Sequence, residues 1–152
     1  MAEFDLGALI PSLDSLLGWL DLVLRVAVMA GPLALLGLCL YYFLLPPKEA
    51  NHAAGYRFRY GMSKVGVWRF MQNLAGIIYS SVGLMLTVVM GLTCIRFGAM
   101  EMEDMLPMAV QCILWELGII IAATAAINIA VVAVYDSQGN NRKEMRDLFR
   151  EE

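Results

Sequence analysis

PPKEANHAAGYRFRYGMSKVGVWRFMQNLAG, residues 46–76, holds five of the eleven basic residues of this chain: Lys48, Arg57, Arg59, Lys64 and Arg69. Apolar runs flank it on both sides, Leu22 to Leu45 before it and Leu74 to Ile95 after it. Each is long enough to cross a bilayer, which takes roughly 20 mostly apolar residues in a helix. A basic loop between two such runs fixes how a protein sits in its membrane. It also carries the densest set of polar and aromatic side chains in the sequence, so function is sought there first.

Composition agrees with a membrane protein. Of 152 residues, 60% are apolar and 16% charged, against about 45–50% and about 25% in soluble domains. A third run, Leu106 to Tyr135, carries a single charge, Glu116. Backbone groups in hydrocarbon must bond within their own segment, so each run is predicted to be a helix. The runs lack the period-2 alternation of membrane strands. The expected fold is all-α, a three-helix transmembrane bundle in one domain. Its parts are an outer segment 1–21, spans 22–45, 74–95 and 106–135, a loop 46–73 and a tail 136–152.

Orientation follows from lysine and arginine. The tail adds Arg142, Lys143, Arg146 and Arg150, whereas residues 1–21 hold four acids and no base. The connection 96–107 has Arg96 against Glu101, Glu103 and Asp104. The positive-inside rule then places the N-terminus outside, with the 46–76 loop and the C-terminus in the cytoplasm. The acidic start lacks the basic residues of a secretory signal, so no cleavage is expected.

Amphipathic helices are expected in three flanking places. Residues 4–20 space Phe4, Leu9, Leu13, Leu16 and Leu20 for a helix lying on the outer surface. Asp21 and Arg25, four apart, can pair on one face. The tail should turn at Gly139-Asn140 and continue with Met145, Leu148 and Phe149 on one side. In the loop, SKVGVWRFMQNLAG reads as a helix capped by Ser63 that lies at the inner interface and leads into the second span. Trp68, Tyr56 and Tyr60 suit headgroup depth there.

Within the spans, Gly118, Ala122, Ala126 and Ala130 recur every fourth residue, and Gly76, Gly83 and Gly91 share a face. Small residues permit close backbone approach in lipid, so spans two and three are expected to pack along these faces. Glu116 is an intramembrane carboxyl and therefore a functional candidate. Contact with Arg25 is one option for it. Asn128 needs a partner, with Ser80, Ser81 and Thr87 as candidates. Cys39, Cys94 and Cys112 have no metal-ligand spacing and read as packing residues.

The loop also carries a resemblance. Asn51, then Gly55-Tyr56-Arg57, then Ser63, Trp68, Asn73 and Gly76 resemble the signature of the SdpI family. Its members are small integral membrane proteins named for immunity to a secreted, membrane-active killing peptide. Where members usually have Thr or Ser after Gly-Tyr-Arg, this chain has Phe58-Arg59. The resemblance implies a protein of the bacterial cytoplasmic membrane that gives immunity to a peptide toxin, or signals its presence to a cytoplasmic regulator. Asn51, Gly55, Tyr56, Arg57, Arg59, Lys64, Trp68 and Asn73 would then bind ligand, partner or lipid headgroups. Arg25, Glu116 and Asn128 are the polar residues inside the membrane.

Two other classes stay open. One is an accessory subunit of a larger membrane complex, docking through its helix faces. The other is a homo-oligomeric transporter or channel protomer lined by Glu116 and Asn128. Catalysis is not expected. His52 is the single histidine, and no nucleophile–base set, metal cluster or phosphate-binding glycine loop can be assembled. No cofactor is implied. Five bases among aromatics beside a membrane favour anionic lipid over nucleic acid.

Overall fold

The computed structural model describes residues 13–44 and 56–144, with side chains from residue 16 onward in the first segment. Three long helices dominate them: α1 (Leu13–Leu44), α2 (Val65–Phe97) and α3 (Met102–Val134). A 3-10 turn, Tyr60–Met62, precedes α2. The three helices run up, down and up, and each touches the other two, α1 against α2 most extensively. All three are long and apolar enough to cross a membrane. α2 and α3 have 33 residues each; at 1.5 Å per residue they reach ~50 Å, well beyond ~30 Å of hydrocarbon. Their ends therefore stand clear of the bilayer core, and the charges gather at those ends.

The buried positions repeat every three or four residues. On α2 they include Trp68, Gln72, Ala75, Tyr79, Gly83, Leu86, Met90 and Phe97. Leu24, Val28, Leu35, Cys39 and Tyr42 do the same on α1, and Met105, Ala109, Glu116, Ala123, Ile127 and Val131 on α3. This is the seam spacing of left-handed helix packing. Outside the seam the surface stays apolar: Leu40, Leu84, Leu92, Ile121 and Ile129 are all exposed. Water would penalise such a surface, whereas lipid solvates it.

Several expectations about segment boundaries and packing are corrected. α1 begins at Leu13, so residues 13–21 are not a separate surface helix; no proline interrupts the sequence between Leu13 and Gly31. The remainder of the expected outer helix lies outside the described residues. The loop helix is likewise the start of α2 and not a surface element. Its first turn is bounded by Lys64, and Ser63 does not cap it; the Ser63 hydroxyl donates back to Tyr60 O at 2.7 Å.

The small-residue faces also behave differently. Gly76 lies against the Phe43 ring, and Gly83 against Leu35 and Leu36, so this face packs on α1 and not on α3. A Cβ at Gly91 or Gly118 would meet nothing within 4 Å. Gly118, Ala122 and Ala126 are exposed. Glu116 belongs to the α3 seam, and a position two residues on is turned about 200° from it. The stripe therefore points away from the bundle.

Candidate functional site

The basic end of the bundle is built around Tyr56. Its backbone N–H donates to Gln72 Oε1 at 2.9 Å, and Gln72 Nε2 donates to its carbonyl at 2.9 Å. The side-chain amide thus satisfies both backbone groups of one residue. Both residues are buried, where unpaired backbone groups would be costly. Tyr56 OH donates to Asn128 Oδ1 at 2.9 Å and lies 3.2 Å from Thr124 O. Burial pushes the Tyr56 phenol up from its ordinary value, so it remains a proton donor. Tyr79 OH is 2.9 Å from Thr124 Oγ1, whose own proton goes to Ile120 O at 2.8 Å. The Tyr79 ring packs against Tyr56 and Tyr42, at centroid distances of 6.1 and 6.3 Å.

This anchoring sorts the motif residues. Tyr56 and Trp68 are buried, because both point into the seam. Arg57, Arg59 and Lys64 are exposed. Asn73 is exposed too, since it sits about 100° around the helix from Gln72. Asn128 takes Tyr56 as its partner. Ser80 and Ser81 instead bond back to Ile77 O, and Thr87 to Gly83 O. Asn51, Gly55 and His52 lie outside the described residues, as do Met145, Leu148 and Phe149.

A second loop braces the first. Gly139 adopts φ 74°, a left-handed turn that glycine tolerates, and a Cβ there would lie 2.5 Å from Ser63 Oγ. Lys64 Nζ donates to Asn140 Oδ1 at 2.5 Å. Tyr135 pairs with Asn141 in a short bridge, and Arg142 Nε donates to Tyr135 O at 3.2 Å. Phe70 meets Tyr135 edge to face at 5.4 Å. Asp136 closes the turn by accepting from the Gln138 and Asn140 amides at 2.9 and 2.7 Å.

Those donors, the Asn140 amide first, hold the Asp136 carboxyl below the ordinary carboxylate range. A depressed value stabilises the folded turn above the ordinary pKa, and that contribution is lost as pH falls through the folded one. The Asn140 amide resonance should therefore titrate with a midpoint below about 3.9, the unperturbed value. A midpoint at or above it would show that the turn does not depend on the carboxylate.

The opposite end is acidic. Arg25 Nε lies 2.9 Å from both carboxylate oxygens of Asp21, as the four-residue spacing leads one to expect. Its Nη1 donates to Cys94 O, and the guanidinium stands 5.9 Å from the Phe97 ring centroid. Arg25 does not reach Glu116. The carboxyl packs against Gly31, where a Cβ would lie 2.7 Å from Oε2. Gly31 is six residues, or ~9 Å, farther along α1 than Arg25. Glu116 is buried, and its Oε1 has no hydrogen-bond partner among the described residues. Among the described residues no group of three or more His, Cys, Asp or Glu could hold a metal ion.

No family model, curated protein or solved structure matches the chain. The fold itself defines a class: a multi-pass helical membrane protein. Its described polar features gather at the two ends of the bundle and at Glu116.

Proposed function

We propose that this chain is an SdpI-like protein of the bacterial cytoplasmic membrane that gives immunity to a membrane-active peptide toxin, or signals its presence, through the cytoplasmic loop at the basic end. The N-terminus would face outward. One observation carries the reading: the Tyr56–Gln72 clamp buries the centre of the Gly-Tyr-Arg motif and leaves Arg57 and Arg59 exposed on either side of Phe58. A pair of exposed guanidiniums beside an anchored backbone suits an acidic surface on a regulator. The outward placement of Gly118, Ala122 and Ala126 favours a second reading, in which another membrane helix packs there and the chain is an accessory subunit.

The test is survival of a sensitive Gram-positive host expressing the chain, challenged with a panel of membrane-active bacterial peptides. Wild type should protect. An Arg57→Ala/Arg59→Ala variant should insert at equal abundance and lose most of the protection. Absence of protection by properly inserted wild type would remove immunity, and weight would pass to the accessory reading.

A further inference from the structure

Glu116 is the buried carboxyl that the basic-end site leaves unused. Fourteen residues separate it from Met102 and eighteen from Val134, so it lies ~21 Å from one end of α3 and ~27 Å from the other. Hydrocarbon spans ~30 Å, which puts the side chain in the middle of the membrane. It turns inward to the seam, with 4% of its surface exposed. An ionised carboxylate in such a place needs a cation or several hydrogen-bond donors.

The bundle offers neither. Oε1 has no hydrogen-bond partner among the described residues. Oε2 faces Gly31 of α1, where a Cβ would lie 2.7 Å away, and glycine has no side chain to donate. The next residue, Pro32, is fully buried and has no N–H. It leaves the Val28 carbonyl, one turn back, without its helical donor. This stretch of α1 therefore has an acceptor to spare and no spare donor. Two thiols lie near enough to feel the charge of Glu116: Cys94 from α2, and Cys112 one turn earlier on α3. Cys94 Sγ donates to Arg25 O at 3.9 Å instead. Arg25 is the single base of α1, and Asp21 and Cys94 O engage its guanidinium. Arg69 and Arg96 of α2 are exposed near its two ends, and α3 carries no base.

We infer that Glu116 is a proton-binding site in the membrane core: the folded bundle holds this carboxyl un-ionised at neutral pH, seated against Gly31. The site is independent of the immunity reading, which uses the loop at the basic end. Loss of the proton would leave an unpaired charge between α1 and α3, so their packing is tied to the protonation of one side chain. A metal cation, the other ligand that a buried carboxylate could take, would instead hold Glu116 ionised.

Infrared difference spectroscopy of the full chain at pH 7, in dodecyl maltoside because this detergent has no carbonyl group, tests the site. An ordinary glutamate is un-ionised there in about one molecule in five hundred, so exposed acids add almost nothing to the C=O band of a carboxylic acid. Wild type should show that band. Glu116→Gln keeps the shape and the absence of charge, and should lose the band with helix content unchanged. Gly31→Ala carries a methyl toward Oε2 and should shift it. A wild-type spectrum without the band overturns the proposal, whether the carboxylate is bare or holds a cation. So does a band that persists in Glu116→Gln or stays unmoved in Gly31→Ala, since the un-ionised carboxyl would then be a different one or be seated elsewhere.

Discussion

Trp68→Ala should destabilise the bundle by about 3–5 kcal/mol, the range for truncating a buried aromatic. Trp68 is fully buried, among Val67, Met71 and Ala75 of the same core, at the first turn of α2. Close to the site, Met71 packs onto Gly61 so tightly that a Cβ there would overlap its sulfur. The space left by the indole would therefore border the 3-10 turn that carries the motif loop into α2. Unfolding in a titration of denaturing detergent, followed by circular dichroism, would measure the loss. Trp115→Ala is the internal comparison: Trp115 is 64% exposed, and its loss should stay within ~0.5 kcal/mol. Equal effects at the two tryptophans would contradict the placement of Trp68 in the seam. The result bears on function as well, since a Trp68 variant that fails to protect a host would report on folding before recognition.

Gln72→Leu should cost about 2–4 kcal/mol, because it leaves two buried backbone groups of Tyr56 unpaired. Leucine approximates the shape of the side chain and keeps the helix propensity of the site, so the loss isolates the hydrogen bonds. The local readout is sharper than the global one. The Tyr56 amide should lose its protection against hydrogen exchange, while amides in the middle of α2 keep theirs. The backbone next to Arg57 would then lose its tether to α2, and the immunity assay should weaken with both arginines still present. A protected Tyr56 amide in the variant would mean that the Tyr56 hydroxyl, through Asn128, is enough to hold the loop.

The three helices were legible from run length and charge because the bilayer imposes both. The ends were harder to read. Nothing in the composition around Leu22 or Leu74 marks a boundary, since helices that outrun the hydrocarbon continue into charged sequence without a break; α2 accordingly starts at Val65. Loop residues of the site were found by motif: Tyr56, Arg57, Arg59 and Lys64 all lie at the basic end. The motif also pointed to Asn73, whereas the working amide belongs to its neighbour Gln72. A register argument separates the two, because Gln72 continues the series Trp68, Ala75, Tyr79 and is the long polar side chain on that face. Tyr79 and Thr124 were missed for a different reason. Their roles depend on which faces of α2 and α3 meet, and small-residue spacing suggested the wrong ones. Glycines at Gly76 and Gly83 show that a close approach occurs without saying which helix approaches.

That asymmetry among the helix contacts sets an order of assembly. α1 and α2 are consecutive in the chain and meet closely at Gly76 and Gly83, so they can pair as a hairpin as soon as both are inserted. α3 emerges last from the ribosome, and Thr124 and Asn128 arrive with it. Until then the Tyr56 hydroxyl has neither acceptor, although Gln72 already holds its backbone. The motif loop is thus drafted by the nascent hairpin and completed only when the final helix docks. A chain halted after Phe97 would present its arginines from a half-tethered loop, and quality control in the membrane would have a distinct, incomplete surface to detect.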